Sequence, residues 1–263
     1  MSNEDFTIAL QGSLIRRIRP LHIGLSVGHP RGSTGTLGAF ILLPDRRRAI
    51  MSASFVLAPG RARHGDMIHQ PGSRDQPTLT GQTRIGLLHD FTPLSVTQRM
   101  TEDFAVAVLL DDIAIDGNII PPGCPEAGRP IGGVANEDTF EVGEPVAFVG
   151  IGSGYREGRI TAINFTNLAV TGGRSRQIYY YDHLLEVASD SGPFSHAGDG
   201  GALVWRQRDG AAIGLILASV AGQGYDSTYI VPIARNLKAL GATWLTPGEP
   251  DEMLSHRSPA TPA

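Results

Sequence analysis

A glycine-rich loop in the last third of the chain is the segment best suited to chemistry. Gly198, Asp199, Gly200 and Gly201 lead into the apolar run 202–205, and a second apolar run follows at 212–218. Glycine permits backbone conformations that aim successive N–H groups at one point, which is how an oxyanion hole is built. The sequence therefore predicts a tight loop that enters a buried strand and can hold a carbonyl or carboxylate group.

A second glycine cluster follows another apolar run. Gly150, Gly152 and Gly154 resemble a dinucleotide-binding turn, but the position of the third glycine of that motif holds Tyr155, and no helix follows to receive a phosphate. We therefore predict a hairpin loop rather than a phosphate site.

His64, Asp66 and His69 carry the side-chain types of a metal site. They lie in a loop with Gly and Pro and lack the helical i,i+4 spacing that makes two histidines converge on one ion. We interpret them as solvated loop residues and expect neither a metal nor a cofactor.

Several segments, taken in order over residues 20–240, resemble the chymotrypsin/trypsin-like serine peptidases. Residues 198–204, Gly-Asp-Gly-Gly-Ala-Leu-Val, are similar to the nucleophile loop Gly-Asp-Ser-Gly-Ala-Leu-Val of bacterial trypsin-like proteins and the related plant narrow-leaf-type group. Residues 51–58, Met-Ser-Ala-Ser-Phe-Val-Leu-Ala, resemble the histidine segment, and residues 101–107 resemble the aspartate strand. Further matching segments lie at 35–40, 65–72 and 149–160.

The resemblance places the three triad positions at Phe55, Asp103 and Gly200. Catalysis in that family needs a serine nucleophile, a histidine base and an aspartate that orients the base. Phe55 stands at the histidine position and cannot carry a proton, and Gly200 stands at the serine position and cannot attack, so only Asp103 is retained. Losing triad members lowers kcat on the order of 10⁶, which implies a peptidase homologue without hydrolase activity.

The rest of such a site keeps some function by the same resemblance. Gly198, Asp199 and Gly201 would still form the oxyanion loop, and Phe194 would lie at the base of the primary specificity pocket and make it apolar or plugged. Without its histidine, a buried Asp103 needs other donors. We expect backbone N–H groups, a Ser or Thr hydroxyl, or water.

Two alternatives to this interpretation stay open at the level of sequence. Ser191, in Asp-Ser-Gly-Pro, is a possible replacement nucleophile, and His64 or His196 is a possible displaced base, so an active serine endopeptidase is one alternative. A sensor for an anion or a nucleotide is another, with the arginine-rich segments 156–159 and 174–176 as its binding groups.

The elements that must position these residues are mostly strands. Short apolar or alternating runs, separated by Gly, Pro, Asp and Asn, predict an all-β protein with an antiparallel barrel or sandwich and short terminal helices. The resemblance to the chymotrypsin/trypsin-like peptidases implies two antiparallel β-barrels packed around a cleft. Ten strands are expected, at 21–27, 36–43, 49–52, 105–110, 145–150, 159–163, 177–181, 202–205, 212–218 and 228–231. The predicted segments are an N-terminal helical segment (1–19, with the helix at 4–17), a first barrel (20–120), a connector (121–136), a second barrel (137–231), a C-terminal helix (232–245, with its core at 233–240) and a disordered tail (246–263).

Composition excludes several classes of function. The chain has 263 residues, a net charge of −4 and a single cysteine, Cys124. The charge disfavours nucleic acid, and the longest apolar run is too short for a membrane span. A lone cysteine cannot form an internal disulfide and favours a reducing compartment. We therefore expect a cytoplasmic protein that binds a protein or peptide partner, as a scaffold, a regulatory subunit or part of a homo-oligomer.

Overall fold

The protein is mostly β-structure. The computed structural model describes residues 3–32, 34–172, 177–222 and 225–247. Within these ranges there are three helices: α1 (Asn3–Leu14), α2 (Ser54–Leu57) and α3 (Ile233–Leu240). The strands of the first half are β1 (Leu21–His22), β2 (Ser26–Gly28), β3 (Thr34–Thr36), β4 (Ala39–Leu42), β5 (Arg48–Ser52), β6 (Met67–His69), β7 (Arg84–Phe91), β8 (Ala105–Leu109) and β9 (Ile115–Gly117). Those of the second half are β10 (Pro145–Gly150), β11 (Gly154–Phe165), β12 (Leu168–Gly172), β13 (Gln177–Tyr181), β14 (Leu184–Ala188), β15 (Leu203–Arg206), β16 (Ala212–Gly222), β17 (Tyr225–Pro232) and β18 (Thr243–Trp244).

The second half of the chain forms a closed six-stranded antiparallel barrel. Its strand order is β10, β11, β14, β17, β16, β15. β16 and β17 approach closely at Gly214, where a β-carbon would lie 2.5 Å from Ile230 Cγ2 and 2.9 Å from the carbonyl carbon of Val231. Only glycine fits there. β12 and β13 form a separate two-stranded sheet beside this barrel.

The first half forms an eight-stranded sheet in the order β18, β4, β5, β8, β7, β6, β2, β3. It makes the other half of the chymotrypsin-like double-barrel architecture, so the expected all-β, two-barrel fold is confirmed. Its edge strand β18 comes from the far end of the chain and pairs with β4. The predicted helix 233–240 is confirmed. Gly241 adopts a left-handed conformation with φ 61°, which ends α3 and lets the chain turn back to the first sheet, so the remainder of the predicted segment 232–245 is not helical.

Several predicted strands differ from the observed ones for local reasons. The run 21–27 is split because Gly24 has φ 85°, and 36–43 is split near Gly38, where a β-carbon would lie 2.6 Å from Leu215 Cδ2. β7 was missed because its sequence shows no regular apolar–polar alternation: Leu87 is exposed between the buried Gly86 and Leu88, and the strand continues through His89 and Asp90. The strands β6, β9, β12 and β14 were missed as well.

One apolar core runs through both halves, and the terminal helices pack on it. Leu10 and Leu14 of α1 are buried, as are Ile233 and Leu237 of α3. The expected first helix is confirmed, although it ends at Leu14 rather than at residue 17. Among the described residues, no helix is long and apolar enough to cross a membrane. Of the predicted disordered tail, residues 248–263 lie outside the described residues.

Candidate functional site

The site lies where α2, the segment before β8 and the loop before β15 meet. α2 carries Phe55, and Asp103 and Gly200 precede β8 and β15, respectively. A β-carbon on Gly200 would lie 3.0 Å from Phe55 Cε2 and closer still to Phe55 Cζ. The structure therefore brings Phe55 and Gly200 into direct contact and leaves no room for a side chain at residue 200 while the ring stays in place.

Asp103 lies beneath this pair and is almost completely buried. One carboxylate oxygen accepts a hydrogen bond from the Ser54 backbone N–H at 2.7 Å. The other accepts from the Ser54 hydroxyl at 2.8 Å and from the Tyr181 hydroxyl at 2.8 Å. These donors include the backbone N–H and serine hydroxyl that the sequence led us to expect, with a tyrosine added. In the described part of the chain, no histidine is hydrogen-bonded to the carboxylate.

The electrostatics of Asp103 follow from burial without a cation. Loss of solvent raises the pKa of Asp103 above its ordinary value, and the hydrogen bonds from Ser54 and Tyr181 oppose that rise. Burial also raises the pKa of Tyr181, and the neighbouring Asp103 charge adds to it. Tyr181 therefore remains a neutral donor.

The backbone of Asp103 is fixed from α3. Its N–H donates to Asn236 Oδ1 at 3.2 Å, and Asn236 Nδ2 donates to the Asp103 carbonyl at 2.9 Å. Asn236 is fully buried beside Ile233 and Leu237, so it is the polar residue on the apolar face of α3. The i, i+3, i+4 spacing of Ile233, Asn236 and Leu237 indicates that Asn236 lies on the buried face of the helix. The contact between Asn236 and Asp103 was not predicted, because no peptidase motif includes this asparagine.

The loop 198–201 is held firmly by its own aspartate. Asp199 is completely buried, and its carboxylate accepts from the N–H groups of Gly152 at 2.7 Å, Ser153 at 3.1 Å and His196 at 2.8 Å. The Ser153 hydroxyl also donates to it at 2.5 Å. Burial raises the pKa of Asp199, while the hydrogen bonds from these groups oppose the rise.

Carbonyl groups of the same loop are bound by the first sheet. The Thr36 hydroxyl donates to the Gly198 carbonyl at 2.8 Å, and the Thr36 N–H donates to the Gly200 carbonyl at 3.0 Å. The Gly201 N–H donates to the Ile216 carbonyl at 2.8 Å. Among the described residues, the N–H groups of Gly198 and Gly200 have no protein acceptor, so both are available to a ligand carbonyl or carboxylate.

A pocket of about 210 Å³ opens beside this loop. Phe194 is buried at its wall and packs edge-on against Phe148, with the ring centroids 4.8 Å apart. The Ser195 hydroxyl is bonded to those of Ser219 at 2.5 Å and Thr228 at 2.7 Å. Phe194 therefore leaves the pocket open rather than plugged, and the hydroxyl groups of Ser195, Ser219 and Thr228 satisfy one another. The remaining lining residues are Pro193, His196, Ala197, Val220, Asp226 and Ser227.

The alternative catalytic residues do not form a nucleophile–base pair in the described chain. Ser191 is exposed and its hydroxyl contacts that of Ser189 at 3.2 Å. His196 Nδ1 is bonded to the buried Ser153 hydroxyl at 2.8 Å. His64 Nδ1 is hydrogen-bonded to the carbonyl of His89 at 2.5 Å, and His89 lies on β7 of the first sheet.

The metal and anion candidates are likewise separated. Asp66 contacts His29 Nε2 at 3.0 Å, whereas His69 Nδ1 contacts the Thr83 hydroxyl at 2.8 Å. Among the described residues, no group of three metal-ligating side chains occurs. Arg159 donates to the Gly143 carbonyl at 3.1 Å, and residues 174–176 lie outside the described residues.

Comparisons with known proteins agree on the fold. No family model matches the sequence, and no curated protein does. A glutamic acid-specific serine protease matches with a TM-score of 0.60 at 19% identity, over 86% of this chain and 100% of the other. Nocardiopsis protease matches with a TM-score of 0.59 at 14% identity, over 85% and 98% of the two chains. Cellulomonas bogoriensis chymotrypsin matches with a TM-score of 0.57 at 16% identity, over 86% and 100%. The chain thus has the fold of the chymotrypsin/trypsin-like serine proteases.

Proposed function

We propose that this chain is a trypsin-like domain without hydrolytic activity that binds a peptide segment of a partner protein and acts as a scaffold or regulatory module. The contact between Phe55 and Gly200 carries the proposal. An aromatic ring occupies the space of the missing nucleophile, and a ring carbon cannot take up a proton. Neither step of acyl transfer then has a chemical group to perform it.

The state of Asp103 supports the same conclusion. Its carboxylate oxygens are engaged by Ser54 and Tyr181, so the residue has become part of the buried framework. If Asp103 oriented a histidine elsewhere in the chain, one of its carboxylate oxygens would have to point at that histidine.

Peptide binding is supported by what the cleft still offers. The unpaired N–H groups of Gly198 and Gly200 are donors for a main-chain carbonyl, and the adjacent pocket has mostly apolar walls that include Phe194 and Val220. We propose that an uncharged side chain of the bound segment enters this pocket. Cys124 is a buried free thiol, which is compatible with the cytoplasmic location proposed from the sequence.

A covalent probe tests the absence of activity. A fluorophosphonate should not label the protein, whereas labelling that disappears in Ser191→Ala would identify an active peptidase and overturn the proposal.

Binding is tested with a defined peptide, acetyl-Ala-Ala-Pro-Phe-amide, titrated into the protein and followed by amide NMR and mass spectrometry. We expect the Gly198 and Gly200 amide signals to shift while the peptide stays intact. Ser219→Leu, which adds bulk at the pocket, should weaken binding roughly tenfold, as expected for a lost apolar subsite. Val142→Ser, on an exposed turn away from the pocket lining, is the matched control. Unchanged glycine signals at millimolar peptide would contradict peptide binding.

A further inference from the structure

The N-terminal helix contacts the loop that holds Asp199. Leu10 and Leu14 anchor α1 in the core, and Gln11 between them donates from Nε2 to the Gly152 carbonyl at 2.5 Å. Gly154 in the same loop packs against Thr7, since a β-carbon there would lie 3.3 Å from Thr7 Cγ2. The helix therefore touches the 151–154 loop on the side away from Asp199.

The opposite side of this loop is bonded to Asp199. Gly152 receives Gln11 on its carbonyl and donates its N–H to the Asp199 carboxylate. Ser153 adds its N–H and its hydroxyl. Three of the four hydrogen bonds to the Asp199 side chain thus come from the loop that Gln11 fixes.

Asp199 in turn sets the direction of the two candidate donors. It lies between Gly198 and Gly200, and no arginine or lysine forms an ion pair with its carboxylate among the described residues. Thr36 holds the carbonyls of Gly198 and Gly200, and Asp199 is the residue between them with a side chain bonded to another loop. Because glycine has no side chain to restrain it, the orientation of both N–H groups also depends on how firmly Asp199 is held. A buried carboxylate that lost these donors would reorient toward water.

We propose that α1 is a positioning element of the peptide-binding loop and that Gln11 is its positioning residue. Gln11 fixes Gly152, Gly152 and Ser153 fix Asp199, and Asp199 presents the N–H groups of Gly198 and Gly200 to a ligand carbonyl. The consequence for binding rests on the proposed function, whereas the structural relay is independent of it.

The test uses the full chain and two substitutions at one position. Gln11→Glu has nearly the same shape but no donor for the Gly152 carbonyl, and Gln11→Lys keeps a donor on a long side chain. Ser13→Ala is the control, since among the described residues the Ser13 hydroxyl bonds within α1 alone, to the Leu10 carbonyl at 2.6 Å. The readout is amide hydrogen exchange in peptides that cover 151–153 and 196–202, normalised to peptides from β10 and β16.

In Gln11→Glu we expect exchange at both segments to accelerate roughly 3- to 10-fold, as expected for one lost hydrogen bond. Gln11→Lys should restore slow exchange, and Ser13→Ala should not alter it. Unchanged exchange at 196–202 in Gln11→Glu would overturn the proposal, even if 151–153 changed. An equal acceleration in β10 and β16 would also overturn it, because it would show general destabilisation.

Titration of the same variants with acetyl-Ala-Ala-Pro-Phe-amide separates this inference from the proposed function. If Gln11→Glu accelerates exchange at 196–202 but the wild-type protein does not bind the peptide, the relay is supported and the proposal of peptide binding is contradicted. If the peptide binds wild type and Gln11→Glu equally, and exchange at 196–202 is unchanged, the relay is contradicted and the proposal of peptide binding is supported.

Discussion

The Phe55 ring fills the space beside Gly200: a β-carbon on Gly200 would lie 3.0 Å from Phe55 Cε2 and 3.3 Å from Cε1. The two departures from the peptidase pattern are therefore one steric unit. A glycine at 200 makes room for an aromatic ring at 55, and the ring at 55 excludes a serine at 200. Restoring a serine at 200 alone conflicts with the present position of the Phe55 ring, and restoring a histidine at 55 alone supplies no nucleophile.

Gly200→Ser should therefore destabilise the protein only while Phe55 is present. Gly200 does not have a positive φ, so serine meets no backbone strain, and the conflict is with the end of a half-exposed ring that can turn toward solvent. We expect a loss of about 1 kcal/mol, at the low end of overpacking effects. In a Phe55→Ala background the loss should vanish. Urea unfolding of the four proteins in this cycle measures the coupling, and equal losses in both backgrounds would show that the ring does not restrict residue 200.

Hydrolytic chemistry should return only when both positions change. Phe55→His with Gly200→Ser supplies a base and a nucleophile, and a fluorophosphonate should then label the protein, while Gly200→Ser alone should stay unlabelled. The rate should be low because Ser54 and Tyr181 already occupy Asp103 Oδ2. Adding Tyr181→Phe should raise labelling roughly tenfold, because it removes one of the two hydrogen bonds that compete with the histidine for that oxygen. Labelling of the single variant would instead indicate a base from elsewhere, such as His196.

Sequence patterns predicted the antiparallel β-architecture and both terminal helices because these depend on local periodicity and on glycine punctuation, whereas the double barrel was implied by the resemblance of ordered motifs to the peptidase family. They placed Phe55, Asp103 and Gly200 through motif resemblance, and the kinds of donors around Asp103 followed from the cost of burying a charge. Tyr181 could not be found in this way, because its contact with Asp103 joins residues 78 positions apart.

The same limit applies to the other supporting residues. Thr36 bonds to the Gly198 carbonyl and Gln11 to the Gly152 carbonyl, and both partners are distant in the sequence. Nothing in the local sequence of either residue predicts its contact. The return of β18 to the first sheet is also a long-range pairing. Local patterns identify elements, whereas contacts between elements decide which polar side chains meet.

Removing a donor to Asp103 should cost more than removing a comparable hydroxyl elsewhere. Tyr181→Phe leaves the buried Asp103 with one donor fewer, and we expect a loss of about 1.5–3 kcal/mol, typical of a hydrogen bond to a charged group. Tyr179→Phe is the matched control, since in the described part of the chain the hydroxyl of the buried Tyr179 bonds to Gln177 alone, at 3.1 Å; its loss should be below about 1 kcal/mol. Chemical denaturation compares them, and equal losses would mean that Asp103 does not depend on Tyr181.

The pH dependence of stability should distinguish Asp103 from a surface carboxylate. Burial raises the folded pKa of Asp103 above the ordinary 3.8, so the native state binds more protons than the unfolded state between these two values. The free energy of unfolding of wild type relative to Asp103→Asn should therefore fall as pH rises through that interval.

Asp209 provides the control of opposite sign for this pH series. Its hydrogen bonds with Arg206 lower the folded pKa of Asp209 below 3.8, so wild type relative to Asp209→Asn should gain stability as pH rises through the interval below 3.8. Urea unfolding from about pH 3 to 6 covers the ordinary carboxyl pKa values. Parallel slopes for the two variants would contradict the buried, cation-free environment of Asp103.

Gly201 should be the least replaceable glycine of the binding loop. It has φ 84°, and a β-carbon there would lie 2.8 Å from the Ala53 backbone nitrogen and 2.9 Å from the Thr36 carbonyl oxygen. Gly143 has nearly the same φ, 89°, but open space around its α-carbon. Both Gly→Ala variants meet the cost of a left-handed alanine, about 1–2 kcal/mol. Gly201→Ala should lose about 1–3 kcal/mol more, because backbone atoms of the first sheet cannot move aside as a side chain can. Thermal and urea unfolding of the pair isolates this steric part, and equal losses would show that the contact between the loop and the first sheet is loose enough to admit a methyl group.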